Sequence, residues 1–337
     1  MRLSSRCGAV LVFALWVLTF LTVIAVSVAS TVRQKIILIG RLDERQRTVA
    51  LQQAGVRYAI ALIRKSFGNS GGIYTVDLKQ QLHRQEALLH DIRLKEDQVS
   101  VEIPAIDDSK DGRFGVVDEE SKINLNTVKP EVLQRLVEQV LNLKPDQARQ
   151  LTAALLDWRQ TGSSEVKGFF SDEYYRNLRT PFPKKDSSYE NLDEVLLVEG
   201  MSRERFDQLC PYITVWGDGQ ININTASREV LEAIGMSAEL IDKILEVRRG
   251  KDGIEATGDD HVFLRAFDIA IELTTLTNLD AALIKEIDFL NAQGFLTTNA
   301  YYFTITTKGH LANGKKTPSA KAVYGFKEDR ILWWREK

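Results

Sequence analysis

The chain is poor in the residues that build covalent, metal and redox centres. Cysteine occurs only at Cys7 and Cys210, no CxxC pair is present, and the four histidines are scattered. A disulfide framework is thereby excluded, and zinc and thiol-redox chemistry lack a ligand set. Only seven prolines occur in 337 residues, so no long proline-rich linker divides the chain. A formal net charge of −2 gives no global attraction to nucleic acid or acidic lipid. No HExxH, P-loop or Ser-His-Asp spacing occurs, and the acidic pairs fall on helical faces where hydration accounts for them. These absences predict a non-enzymatic protein. With 44% apolar and 27% charged residues, the chain is long enough for about two folded domains.

Uncharged sequence, by contrast, is abundant at the start. From Ala9 to Val32 there is no charged residue, with Arg6 and Arg33 as the flanks. About 20 apolar residues cross a bilayer as a helix, whereas a secretory signal has a shorter core of roughly 7–15 residues. Ala25-Val26-Ser27 offers a small-x-small cleavage site, so the export reading stays open. Helical patterning nevertheless continues through Val49, Gln53, Val56, Ile60 and Ile63 at three- and four-residue spacing, which predicts one helix over 9–64. Eight basic residues (33, 35, 41, 45, 47, 57, 64 and 65) stand there against Asp43 and Glu44. Such a stretch beside an apolar span meets phospholipid headgroups or forms a solvated face. The positive-inside rule, applied alone, would place the body in the cytoplasm.

A phrase is written twice: INLNTVKPEVL at 123–133 and ININTASREVL at 221–231 agree at seven positions. An Asn-rich strand end running into a helix opens many helix-hairpin-helix units, which grip DNA phosphate through backbone N–H groups in a glycine-containing turn. The second copy supplies Ile234-Gly235-Met236-Ser237 and lacks the last glycine, as does Glu199-Gly200-Met201-Ser202. The first copy has Leu141-Asn142-Leu143-Lys144-Pro145 and no glycine. Basic and acidic residues are balanced over 227–249, unlike a phosphate-binding surface. The packing frame is kept without the grip, and no nucleic-acid partner is expected. Asn124, Asn126, Asn222 and Asn224 are expected to lock turns, and Thr127 and Thr225 to cap the helices that follow.

Alternation at Val99, Val101 and Ile103, with RFGVVD at 113–118 after an Asp/Gly-rich turn, predicts a hairpin. Helical patterns follow in EVLQRLVEQVL, DQARQLTAALLDWR, NLDEVLLV, SRERFDQLCPYI, REVLEAIG, AELIDKILEVRRG and DAALIKEIDFLN. YYFTITT, AKAVYGF and RILWWRE then predict three terminal strands, with an Asn-Gly turn in HLANGKK. Strands on both sides of a helical block predict an α+β fold, one small antiparallel sheet carrying an all-helical insertion.

The basic leader ending at Gly8 directly before a long apolar helix resembles the type IV prepilin family. DEESKINLNT at 118–127, LLDWR at 155–159, LDEVLLVEGM at 192–201, PYITVWGDGQININTA at 211–226 and ILWWRE at 331–336 are similar to the general secretion pathway protein K family over most of the chain. The resemblance implies a pseudopilin fold divided as leader 1–8, transmembrane and pilin helix 9–64, first sheet portion 65–120, helical insertion with helix-hairpin-helix-like units 121–293, and closing strands 294–337. It implies cleavage between Gly8 and Ala9 by a prepilin peptidase, a single-pass inner-membrane anchor and a periplasmic body. The expected function is that of a minor pseudopilin at the tip of the type II secretion pseudopilus, supporting export across the outer membrane. Its implied partners are the I, J and H minor pseudopilins, the major pseudopilin and the inner-membrane secretion platform. Where the prepilin family usually has glutamate, this chain has Phe13, a departure shared with the K subunit type and suited to a tip position. The alternative is a membrane-anchored helix-hairpin-helix protein of DNA binding or uptake.

Some members of the family bind calcium after a DW dipeptide. Here Arg159 and Gln160 replace the expected acids, leaving Asp157, Asp172 and Glu173. Two other loops have calcium-like chemistry. One places Asp252, Glu255, Asp259 and Asp260 around glycines; the other puts Asp107, Ser109, Asp111, Gly112 and Asp118 at EF-loop positions, between strands rather than helices.

Overall fold

The computed structural model describes residues 5–70, 92–94, 99–102, 115–159, 172–253, 259–310 and 316–336. Two compact units are present, residues 1–53 and residues 54–337. A continuous helix α1, Ser5–Ser70, runs from the first into the second. Val10 to Leu42 are exposed on it, including Phe13, Trp16, Phe20 and Ile24. A helix apolar on every face has no aqueous face to offer and suits a lipid environment. Val10–Lys65 meets the length and composition of a membrane span.

The second unit contains a sheet and a helical region, each with its own core. Strands β1 (Ile92–Leu94), β2 (Val99–Glu102), β8 (Tyr302–His310), β9 (Ala320–Gly325) and β10 (Arg330–Glu336) lie in that spatial order, all neighbours antiparallel. Strand β3 (Val117–Asp118) also pairs with β8. The three terminal strands thus form as their alternation predicts; Asn313 and Gly314 of the expected turn lie outside the described residues. The predicted hairpin of 99–103 with 113–118 does not form. Strand β2 turns back on β1, while β3 pairs separately: Val117 sits opposite Thr304, and Val101 opposite Gly309. Nine residues of β8 are long enough to hold both short strands at different heights.

Val56, Ala59, Ile60 and Ile63 recur at three- and four-residue spacing on α1 and pack with Ala300, Phe303, Ile305, Ala322 and Tyr324. Gln53, assigned to that face by its spacing, is exposed, and Gln52 is buried. Arg64 closes this end of the sheet, its Nε donating at 2.8 Å to Asp329 and at 3.3 Å to the Tyr324 hydroxyl.

The helical region comprises α2 (Pro130–Leu141), α3 (Pro145–Arg159), α4 (Asp172–Arg176), α5 (Arg203–Leu209), α6 (Arg228–Ala233), α7 (Ala238–Arg248), α8 (Ile269–Thr277) and α9 (Ala281–Ala292). NLDEVLLV forms a 3₁₀ turn, Leu192–Leu197, because Asn191 and Glu194 cap each other across one tight turn. Helix α8 was not anticipated: its Ile- and Thr-rich sequence has weak helix propensity, and burial of Ile269, Ala270 and Leu273 overrides that preference.

The repeated phrase builds the same frame twice. Strand β4 (Ile123–Asn124) runs parallel to β5 (Ile213–Thr214), and β6 (Ile221–Asn222) parallel to β7 (Leu296–Thr297). The Asn124 side chain accepts from Asn126 N and donates to the carbonyls of Trp216 and Gly217. Asn126 in turn exchanges bonds with the backbone of Tyr189 and donates to Val215 O. In the second copy Asn222 accepts from Asn224 N, and Asn224 exchanges bonds with Phe263 N and O at 2.9 Å each. These asparagines satisfy backbone groups that the short strands leave unpaired. An arginine completes each copy: Arg159 donates to Leu125 O and Val128 O, Arg248 to Ile223 O and Ala226 O.

Thr127 and Thr225 are not N-caps. Lys129 occupies that position before Pro130, whose ring presets the first helical turn, and Ser227 caps α6 by accepting from Val230 N. Thr127 and Thr225 sit two residues earlier, in turns closed by the Asn124 and Asn222 carbonyls. Gly219, at φ +94°, lies so close to the Thr127 hydroxyl that a Cβ there would collide with it.

Candidate functional site

Gly8 and Ala9 lie in the first turns of α1, and Phe13 one turn further on, 71% exposed. Its ring can offer packing and no charge. The flanking positions Val10, Leu11, Val12 and Leu15 are exposed and apolar as well.

In the acidic loop, carboxylate oxygens of Asp252, Asp259 and Asp260 lie within 4.8 Å of one another; Glu255 falls outside the described residues. Asp259 Oδ2 accepts from the backbone N–H of Lys251 at 2.7 Å and of Asp252 at 3.1 Å, which folds the loop back on itself. Gly250, at φ +64°, permits this, because a Cβ would stand 2.7 Å from the Asp259 carbonyl oxygen. An all-oxygen donor set of this kind fits a hard divalent cation such as calcium. Asp157 of the DW dipeptide is not open in this way. Asp157 is already paired with Lys184 at 3.1 Å, the same ammonium reaching Asp186 at 2.8 Å, and Arg159 is committed to carbonyls. In the EF-like series only Asp118 is described, and it turns inward.

That inward turn marks a feature the sequence reading missed. Asp118, Glu119 and Glu120 are 5%, 4% and 5% exposed, three consecutive buried acids at the joint between the helical region and β8. Asp118 caps the 3₁₀ turn Glu119–Ser121, accepting from Glu120 N at 2.8 Å, and also accepts from Asn222 at 2.8 Å and Thr225 at 2.6 Å. Glu119 pairs with Lys122 at 2.6 Å and accepts from the hydroxyls of Thr214 and Thr304. Glu120 receives the N–H groups of Tyr301 and Tyr302, both at 3.1 Å, at the start of β8. Burial pushes the Asp118 carboxyl up to about 6, against the lowering effect of its three donors. Burial first, and then the adjacent Asp118 charge, hold Glu120 well above the usual carboxylate range.

At the turn before α7, where a phosphate-gripping hairpin would present free N–H groups, a carboxylate is already seated. Glu286 on α9 accepts from Ser237 N at 2.6 Å and from the Ser237 hydroxyl at 2.8 Å. The adjoining Gly235 has φ +97°, as such a turn requires.

A long N-terminal helix, apolar and long enough to cross a membrane, packs its later turns on an antiparallel sheet that carries a helical region between its strands, which is a pilin-like architecture. Residues 113–218 match the family model described as Type II secretion system (T2SS), protein K. The Type II secretion system protein K of Klebsiella pneumoniae is 30% identical over 132 residues, 38% of this chain and 40% of that protein. Its counterpart in Aeromonas hydrophila is 29% identical over 107 residues, 31% of this chain and 32% of that protein. The aligned stretches thus span less than half the length of these relatives. Among solved structures, the fold is shared with a chain of the GspK-GspI-GspJ complex from the enterotoxigenic Escherichia coli Type 2 Secretion System. The TM-score is 0.60 at 16% identity, covering 89% of this chain and 99% of that one. The chain is thus similar to Type II secretion system protein K in sequence over its middle third and in fold over most of its length.

Proposed function

We propose that the chain is a non-enzymatic minor pseudopilin that sits at the tip of the type II secretion pseudopilus and supports export across the outer membrane. The observation that carries this reading is Phe13, an exposed apolar side chain in an uncharged helix, at the position where the prepilin family usually carries glutamate. A shaft subunit must offer a carboxylate to a neighbour's free amine, since an unpaired charge in a low-dielectric bundle is costly. Phe13 offers none, so no subunit is held above this one in the usual register. On the same reading the prepilin peptidase cuts between Gly8 and Ala9, the helix anchors the chain once in the inner membrane, and the body lies in the periplasm. The I, J and H minor pseudopilins, the major pseudopilin and the secretion platform are its proposed partners. The complex of GspK with GspI and GspJ among its structural relatives supports the first two of these.

The expected mature terminus is Ala9, read by Edman degradation or mass spectrometry of membrane-extracted protein. Phe13→Glu is expected to permit subunits above it, giving altered pseudopilus length and secretion reduced toward that of the gene deletion. Wild-type protein found repeating along the shaft in labelled images would overturn the tip assignment. DNA binding, the competing reading, requires the hairpin N–H groups, and Glu286 already takes that of Ser237.

The acidic loop is proposed as a calcium site formed by Asp252, Asp259 and Asp260, with Glu255 as a further candidate. Ligand that binds only the folded state at a hundred times its dissociation constant stabilises by about 2.7 kcal/mol. The melting temperature is therefore expected to rise by about 5–10 °C in calcium relative to chelator. Asp252→Ala and Asp259→Ala should each remove that rise. Equal melting temperatures with and without calcium would leave the loop as a hydrated turn.

A further inference from the structure

The apolar run of α1 does not stop where the uncharged span does. Beyond Arg33 and Lys35, the side chains of Ile36, Ile37, Leu38, Ile39 and Leu42 are all exposed, each by half or more. Arg41, Arg45 and Arg47 follow, exposed too. From Ala9 to Gly40 the helix is about 48 Å long at 1.5 Å per residue, well beyond the roughly 30 Å of a hydrocarbon core. The surplus segment must tilt or lie in the headgroup layer.

Its charges are sorted. At about 100° per residue, Lys35, Arg41 and Arg45 fall within roughly 120° of the circumference, and Asp43 and Glu44 fall outside that sector. Arg47 is committed to Asp43 at 3.1 Å. Exposed aliphatic side chains interleaved with unpaired cations are what an interfacial segment needs: apolar area for the acyl boundary and positive charge for acidic headgroups. A free phosphate would use the cations and have no use for four consecutive aliphatic residues.

We propose that residues 33–47 form an interfacial segment that binds anionic phospholipid headgroups through Lys35, Arg41 and Arg45. The proposal rests on reading residues 9–32 as a membrane span.

Native mass spectrometry of the full chain in detergent, titrated with phosphatidylglycerol or phosphatidylcholine, tests it. The wild type should retain phosphatidylglycerol at least several-fold more than phosphatidylcholine, and K35Q/R41Q/R45Q should bring the two to parity. K35R/R41K/R45K, which keeps the charge and the helix, should keep the preference. Equal retention of both lipids by the wild type, or an unchanged preference in the glutamine variant, would overturn the proposal. So would displacement of phosphatidylglycerol by inorganic phosphate at a comparable concentration, which would mark an ordinary anion site. Carbonate extraction of membranes tests the span separately: a chain released by carbonate would defeat the span reading itself, whatever its lipid preference in detergent.

Discussion

Replacing Arg248 with alanine is expected to lower the melting temperature of residues 54–337 by about 10 °C, several times the effect of Arg159→Ala. Both arginines end a helix and reach back to two carbonyls in the turn after an Asn-rich strand. Arg248 Nη1 stands 2.6 Å from Ala226 O and 3.4 Å from Ile223 O. Arg248 is 3% exposed, so water cannot replace the guanidinium when it is removed, whereas Arg159 is half-buried. A cavity and two stranded acceptors together cost about 3–5 kcal/mol, against roughly 1–2 where solvent enters. Thermal melts of the two single variants check the ranking. Equal shifts would mean that the Ile223 and Ala226 carbonyls find other donors. Arg248→Lys should fall in between, because the ammonium keeps a donor near the carbonyls but does not fill the space of the guanidinium.

What could be read in advance was local. The long helix, the three terminal strands and the doubled Asn-rich phrase follow from periodicity and turn chemistry within about a dozen residues. The carboxylates of Asp252, Asp259 and Asp260 lie together as their spacing suggests, though the burial of Asp260 leaves no mark in the sequence. Whatever depended on distant partners was lost. Strand β3 pairs with β8, nearly 190 residues later, and a preceding Asp/Gly-rich turn suggested a nearer partner instead. Thr225 resembled a helix cap because it closely precedes α6; Ser227 holds that position, and Asp118, from over 100 residues away, accepts from the Thr225 hydroxyl. The burial of the run Asp118-Glu119-Glu120 was hidden for the same reason. Its donors come from Thr214, Asn222, Thr225, Tyr301, Tyr302 and Thr304, and only the fold brings them together.

Those acids make stability depend on pH in an unusual direction. Acid commonly destabilises proteins because their carboxyls titrate lower when folded than when unfolded. Asp118 does the reverse. Its folded value is about 6 against 3.8, and Glu120 is raised too, so the folded state binds protons more tightly than the unfolded chain. Their contribution is fully present below pH 4 and is lost as pH rises through the folded values, from about 4 to 6 for Asp118 and beyond that for Glu120. A shift of this size corresponds to roughly 3 kcal/mol for Asp118. The melting temperature should therefore climb as pH is lowered from 8 toward 5. Glu328 and Asp218, which act on the neighbouring Tyr302 hydroxyl, are the other acids near this end of β8. Histidines titrate in the same range, so the decisive quantity is the difference between the wild type and Glu120→Gln. The variant removes one proton site, the one raised further, and should flatten the climb by at least half. D118N/E120Q should abolish the remainder. Parallel melting curves for the wild type and the double variant across pH 5–8 would show that the seam stays charged, and that its eight carboxylate hydrogen bonds outweigh its burial.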